Sequence, residues 1–421
     1  MTRRLFVSAS ASLLLATVAF VSASALAASG VIVDARSHMP VGGATVTIDD
    51  RVVLADGEGR FTSEAPDGAT VKARAPGYRR AEATLLRDGT VTIALPPLRP
   101  RAVYLSVFGV TSETLREDAV RLVDTTTVNA LVIDMKGDRG MTPYRSPARE
   151  AIGAAAHVGE HAPATDTFQS IVDDLHRHGL YLIARIVVFK DDPLARAHPE
   201  WAVRNLEGEP WRDREGLLWV DPFSREVWRH NLDLAEEAAR AGFDEIQFDY
   251  VRFPDASGVS FALPNTRANR TAAIVGFLQA ARERLIRYNV FISADIFGYV
   301  LWNLDDTAIG QQLETLGPVL DYISPMLYPS GFTWGLPGCA DPVADPGQIV
   351  RRSLAEAKRR TGLPGVRFRP WLQAFRDYAF DRRAFDADDI RAQVDAARAA
   401  DTDGWMLWNP RNRYDSAQLP H

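Results

Sequence analysis

The segment Gly242 to Pro254 (Gly-Phe-Asp-Glu-Ile-Gln-Phe-Asp-Tyr-Val-Arg-Phe-Pro) ends a short apolar run on three polar groups, Asp249, Tyr250 and Arg252. A carboxylate placed where a buried parallel strand runs out is where an α/β barrel does its chemistry. Comparable run-ends recur along the chain: Asp134, Lys136 and Asp138; Lys190; Asp295; Met326 and Tyr328; Trp371 and Gln373; Trp408 and Asn409. Aromatic faces cover the apolar faces of sugar rings, while carboxylates and amides bind hydroxyls. Convergent polar groups on an aromatic floor are the default form of a ligand site. Two carboxyl groups flanking a glycosidic bond suffice to hydrolyse it, provided that one is ionised and the other protonated. Asp249 and Asp295 are expected on adjacent strand ends, as nucleophile (or base) and general acid/base, with Asp134 as the competing second carboxylate. Arg252 or Lys136 is expected to hold Asp249 ionised, and the apolar flanks Ala294, Ile296 and Phe297 to raise Asp295. Asp134, Lys136, Lys190, Tyr250, Arg252, Tyr328, Trp371, Gln373, Trp408 and Asn409 form the expected substrate-binding set. The plainer alternative is structural, because strand-end aspartates also cap helices and pair with arginines. Glu245, inside the same run as Asp249, is expected to be ion-paired.

Other chemistries find little support. His176 and His178 are one residue apart at an expected helix end, so they face different ways. His157-Val158-Gly159-Glu160-His161 has a His-x-x-Glu spacing but no third ligand in view, and no metal or other cofactor is expected. Cys339 is the only cysteine, which rules out an intrachain disulfide or a thiolate metal cluster. There is no Gly-x-Ser-x-Gly elbow, and no Gly-x-Gly-x-x-Gly turn follows a strand. The formal charge of −6 argues against a nucleic-acid partner.

These groups must be held by a scaffold. From Ala102 onward, eight apolar runs alternate with helical patterns. The runs are Val103–Phe108, Ala130–Met135, Tyr181–Val188, Glu245–Phe248, Val290–Ala294, Tyr322–Met326, Arg369–Gln373 and Gly404–Trp408. This is the signature of βα units around a parallel sheet. The expected fold is a (β/α)8 TIM barrel over residues 98–421, with an open doubly wound sheet as runner-up. The tail after Asn412 is too short for a full eighth helix. Before the barrel, residues 28–97 alternate short strands (Gly30–Asp34, Ala44–Ile48, Arg60–Ser63, Thr70–Ala75 and Thr90–Leu95) with turn residues, which predicts a small antiparallel β-sandwich. Pro96, Pro97 and Pro100 read as a stiff linker. Residues 1–27 read as a signal peptide: Arg3 and Arg4, an apolar stretch from Leu5 to Val21, and the small-x-small site Ala25-Leu26-Ala27. The expected mature protein is exported, periplasmic or secreted, and has no membrane span. The sequence leaves its oligomeric state open.

Two resemblances sharpen this reading. The order Gly30-Val31-Ile32-Val33-Asp34, Pro40-Val41-Gly42-Gly43-Ala44, Asp56-Gly57-Glu58-Gly59-Arg60-Phe61 and Ala75-Pro76-Gly77-Tyr78 resembles the carboxypeptidase regulatory-like domain, usually a non-catalytic accessory. From Arg101 to Tyr414 the chain resembles the DUF4015 family of glycoside-hydrolase-like (β/α)8 proteins. The residues that carry this are Asn129 to Asp138, Ala184 to Asp191, Trp219-Val220-Asp221-Pro222, Gly242 to Pro254, Asp295-Ile296-Phe297-Gly298, Asp321 to Ser330, Arg369 to Gln373 and Gly404 to Pro410. The resemblance implies a glycosidase-like site acting on a polysaccharide or oligosaccharide, with Asp249 as the carried-over carboxylate. Retaining barrels of the α-amylase type, with an Asp after strand four and an acid after strand five, are the analogy. Gly331-Phe332 departs from the His-Tyr expected in relatives, removing a substrate hydrogen bond. The alternative class is a non-catalytic glycan-binding or envelope-assembly protein on the same scaffold.

Overall fold

The computed structural model describes residues 26–65, 68–86, 89–159 and 162–421. The expected leader up to residue 25 lies outside them, as do Pro66 and Asp67 of one predicted turn and Glu160 and His161 of the His-x-x-Glu-His stretch.

The N-terminal region is a two-sheet β-structure of seven strands. One sheet orders Arg60–Ala65, Leu26–Asp34 and Thr90–Leu95; the other orders Arg51–Leu54, Thr45–Ile48, Thr70–Arg74 and Ala81–Thr84. Two of these strands were not expected, Arg51–Leu54 and Ala81–Thr84. Both are edge strands with largely solvent-facing side chains, so neither carries an apolar alternation to read. Their form comes from the ladders to Thr45–Ile48 and Thr70–Arg74. The first sheet is also not purely antiparallel, because Leu26–Asp34 runs parallel to Thr90–Leu95. Ile32, Val46, Val71, Ile93 and Leu95 fill the space between the sheets.

The second region is a closed barrel of eight parallel strands: one, Arg101–Leu105; two, Ala130–Lys136; three, Tyr181–Val187; four, Glu245–Asp249; five, Phe291–Ile296; six, Tyr322–Pro325; seven, Trp371–Gln373; eight, Trp405–Trp408. Each pairs with its neighbours in sequence order, and strand eight pairs with strand one through Trp405–Arg101. Single bridges, Ile323–Phe368 and Met326–Trp371, close the ring between strands six and seven. Strand one stops at Leu105, short of the expected Phe108, because the Ser106 hydroxyl caps a helix over Val107–Thr111 by accepting from the Gly109 N–H. After strand eight there is only a 3₁₀ turn, Ser416–Gln418.

Strand residues alternate between two apolar layers, as a pleated strand requires. Val103, Leu131, Leu182, Ile246, Ile292 and Leu407 pack outward under the helices. Ala102, Tyr104, Val132, Ile183, Phe291, Tyr322, Trp371 and Met406 fill the interior. Beside strand four, helices Arg225–Arg240 and Arg267–Leu285 meet through Trp228, Phe277 and Phe248, with ring centroids 5.9 and 5.1 Å apart. Burying one such aromatic stabilises the fold by about 1.5–3 kcal/mol. Gly276 permits this contact, since a Cβ there would lie 2.9 Å from the Trp228 ring.

The N-terminal region seats on the N-terminal ends of the barrel strands. Arg74, almost fully buried, lies 3.6 Å from Asp321 and donates to Asn289 at 3.2 Å. Arg80 reaches Asp244 and the Gly242 carbonyl. The Gly77 N–H donates to the Tyr322 hydroxyl.

Candidate functional site

The inward rows of strands two to five end on polar residues. Ala130 and Val132 lead to Asp134, Tyr181 and Ile183 to Arg185, Glu245 and Gln247 to Asp249, and Phe291 and Ser293 to Asp295. Asp249 and Asp295 stand side by side, one step beyond the Phe248–Ala294 pair. The sequence reading expects this adjacency.

At the centre is a residue to which that reading gives no role. Arg185, 1% exposed, donates from Nη1 to Asp134 at 2.6 Å and from Nη2 to Asp138 at 2.8 Å. It grips Asp249 Oδ2 with Nε at 2.9 Å and Nη2 at 2.6 Å, and its Nε lies 3.9 Å from Asp295 Oδ2. Burial opposes the charge of Arg185, but Asp134, Asp249 and Asp138 hold the guanidinium firmly protonated. It is this cation, and neither Lys136 nor Arg252, that holds Asp249. An arginine inside an otherwise apolar buried strand is itself a signal, because a buried charge must be paired.

The second oxygen of Asp249, Oδ1, accepts the Tyr250 N–H at 2.5 Å. That contact needs a sharp bend, and Tyr250 takes a left-handed φ of 46°. A non-glycine residue there costs about 1–3 kcal/mol, and such strain clusters at functional sites. Asp295 is 1% exposed; its Oδ1 accepts the Trp371 indole N–H at 2.7 Å and its Oδ2 has no hydrogen-bond partner. Burial, then the charge of Asp249, pushes its carboxyl well above the usual carboxylate range. Burial likewise raises Asp134 to about 6, against the charge of Arg185. The Tyr104 hydroxyl also donates to Asp134, at 2.6 Å.

Above this layer is a cavity of about 460 Å³, within the range of small-molecule sites. Asp138, Arg185, Asp249, Tyr250 and Arg252 supply its polar wall, and Phe297, Tyr328, Phe332, Trp371, Phe375, Tyr378 and Trp408 its aromatic one. Trp408 stacks on Tyr104 with centroids 3.9 Å apart, and Trp371 meets Trp408 edge-on at 5.4 Å. Gly331 and Phe332, where His-Tyr was expected, give this part of the wall an apolar face.

Of the expected site residues, Asp249, Tyr250, Arg252, Tyr328, Trp371 and Trp408 line the cavity. Asp134 and Asp295 lie just beneath it. Four expected binding residues do not reach it. Lys136 is fully buried on the outside of the barrel, donating to Asp191 at 2.6 Å and Asn231 at 2.7 Å, and burial pulls its ammonium down to about 8. The cause is a bulge: Arg185 pairs with Asp134 but Ile186 with Lys136, so Met135 is the extra residue and the alternation slips by one. Lys190 pairs with Asp213 and Glu215 in a neighbouring cavity. Gln373 is spent on Ser330 and the Phe375 carbonyl, holding two rim loops together. Asn409 closes its own turn, donating to the Arg413 carbonyl and accepting from the Arg411 N–H. Glu245 points into the barrel, ion-paired with Arg369 at 2.5 Å. Among the described residues, no three His, Cys, Asp or Glu side chains stand close enough to hold a metal. No helix among them is long and apolar enough to cross a membrane.

Comparison with known families matches residues 102–414 to the DUF4015 model, described as "putative glycosyl hydrolase domain". Among curated proteins, none matches. Among solved structures, the PgaB (BpsB) glycoside hydrolase domain from Bordetella bronchiseptica is 17% identical, covers 76% of this chain and 97% of its own, and superposes with a TM-score of 0.55. That likeness shows a shared barrel fold. A hypothetical protein from Ruminiclostridium thermocellum ATCC 27405 is 37% identical over 46% of this chain and 96% of its own, with a TM-score of 0.40. A class V chitinase from Pseudomonas fluorescens Pf-5 is 14% identical over 76% and 98%, with a TM-score of 0.45.

Proposed function

We propose, from the premise that this chain belongs to the DUF4015 family of glycosyl hydrolase domains, that it cleaves a glycosidic bond of a polysaccharide or oligosaccharide with two carboxyl groups. The observation that carries the reading is the Asp249–Arg185–Asp295 arrangement under an aromatic cavity. Asp249, clamped by Arg185 and the Tyr250 N–H, is the charged partner: the nucleophile, or the base that activates water. Asp295, pushed well up by burial and by Asp249, is the partner that keeps a proton.

The same guanidinium nitrogen lies 2.9 Å from one Oδ2 and 3.9 Å from the other. The two oxygens are therefore no farther apart than these lengths laid end to end. That ceiling includes the separation of about 5–5.5 Å used in retention and lies below most of the roughly 6.5–9.5 Å used in inversion. Retention, with a glycosyl–Asp249 intermediate, is the favoured course.

Asp249→Asn should abolish release of reducing ends from any glycan that the wild type cleaves; undiminished turnover would remove Asp249 from the reaction. Asp295→Asn should stop cleavage of unactivated glycans yet spare the phenol-releasing step on substrates with an acidic phenol as leaving group, which needs no proton, while hydrolysis of the glycosyl–Asp249 ester, where Asp295 serves as base, slows. If Asp138→Asn behaves this way instead, the acid is Asp138, which lines the cavity and shares Arg185 Nη2 with Asp249.

The sealed position of Asp295 beneath Trp371 favours a second reading, a glycan-binding protein without a working acid. Binding with no reducing ends released across a glycan panel would establish it. We further propose export directed by residues 1–27. N-terminal sequencing of the protein from the culture medium or periplasm should begin at Ala28, and recovery only from the cytoplasm would exclude export.

A further inference from the structure

Beside the catalytic cavity is a second one of about 700 Å³. Trp211, Trp219, Lys190, Asp213, Glu215 and Asp255 contribute to its wall. Tyr250 and Arg252 line both cavities, so the two are joined at these side chains. Trp211, Trp219 and Tyr250 run as a ladder of edge-on rings, with centroids 6.5 and 5.6 Å apart. A polymer lying across Asp249 would continue over this ladder.

The charges here are unequal in their commitments. Lys190 is occupied by Glu215 at 3.1 Å and Asp213 at 3.5 Å, and Arg185 by its carboxylates. Arg252, half-buried, has no ion pair with any described residue. Its Nη1 donates to the Phe253 carbonyl at 3.1 Å, and its guanidinium carbon sits 5.1 Å from the Trp219 ring centre and 5.0 Å from that of Tyr250. Asp255 lines the same cavity but makes no ion pair with it. Two aromatic rings flank the guanidinium, while Nε and Nη2 donate to no described residue. A guanidinium fork with free donors matches the two oxygens of a carboxylate or a sulfate.

The geometry points to Arg252 as the recognition group for an anionic substituent, carboxylate or sulfate, on a sugar next to the bond that is cleaved. The substrate is thus an acidic polysaccharide spanning both cavities. This deepens the glycosidase reading and rests on it for the position of the cleaved bond.

The test measures binding on the Asp249→Asn protein, where turnover does not interfere. Calorimetry would use three sets of oligosaccharides of matched length: neutral, uronate-containing and sulfated. The anionic sets should bind more tightly, with affinity falling as salt rises. Adding Arg252→Gln should weaken only the anionic sets, by about ten- to a hundredfold, as expected for loss of hydrogen bonds to a charged group. Arg252→Lys, which keeps the charge but not the fork, should fall between. The uronate and sulfated arms identify which anion is read. Equal binding of neutral and anionic sets by the parent protein, or an equal loss on both with Arg252→Gln, overturns the proposal. The parent's own preference and salt dependence remain decisive if the Gln variant fails to fold. Arg252-dependent anion binding with no cleavage by the unmodified protein would leave this site standing and remove the glycosidase reading.

Discussion

Arg185 supplies the counter-charge of the site. Removing it by Arg185→Met leaves Asp134, Asp138 and Asp249 facing each other without a counter-charge. Breaking a buried pair in this way costs about 3–5 kcal/mol. The loss should be largest at neutral pH and shrink in acid as Asp134 takes up its proton, which denaturant melts across pH would record. Asp134 has a window of its own. Its folded value of about 6 exceeds the ordinary 3.8, so the stability it contributes is complete below the lower value and is lost as pH rises through the higher one. Asp134→Asn should flatten that part of the stability–pH curve; an unchanged slope would mean that another group titrates there. Asp295 acts on rate. As the proton-holding acid, its deprotonation should give kcat/KM its alkaline fall, and that fall should be absent in Asp295→Asn assayed on substrates with an acidic leaving group.

Single elements show where a tight contact outweighs propensity. On helix Arg267–Leu285, Gly276→Ala would ordinarily gain about 1 kcal/mol. Here the new methyl meets the Trp228 ring at 2.9 Å, so the change should instead destabilise by about 1–3 kcal/mol, read from the urea midpoint. A stabilised variant would show that Trp228 yields. The same scale shows what was legible in the sequence. The eight runs and the helical patterns between them were, because buried parallel strands and amphipathic helices leave a strong apolar trace. So were Asp249 and Asp295, since polar residues stand out where such runs end. Lys136 was not: strict alternation from Asp134 turns it inward, and only the backbone pairing reveals the extra residue at Met135. Arg185 leaves no such trace, because its neighbours Ile183, Ala184, Ile186 and Val187 read as plain core. Gln373 and Asn409 sit at the expected strand ends, but their amides are consumed by rim loops whose approach no local pattern encodes.

At the scale of the molecule, the two regions have opposite assignments. The β-structure grips the N-terminal ends of the barrel strands through Arg74, Gly77 and Arg80, while the cavity opens at their C-terminal ends. Arg74→Met should cost about 1–3 kcal/mol, the scale for a buried partner left short of one contact, because Asp321 keeps Arg282 at 3.4 Å and the Ile292 N–H at 2.9 Å. KM for any cleaved glycan should stay unchanged in the same variant; a raised KM would mean that the two ends of the barrel are coupled. The placement also gives the protein a handed orientation. If the β-structure is fixed to a bead, an electrode or a neighbouring protein, the cavity mouth faces away from the support. Immobilisation through that region should therefore leave long polymers free to enter, whereas attachment through a cysteine substituted for the exposed Tyr378 on the cavity wall should admit only short ones.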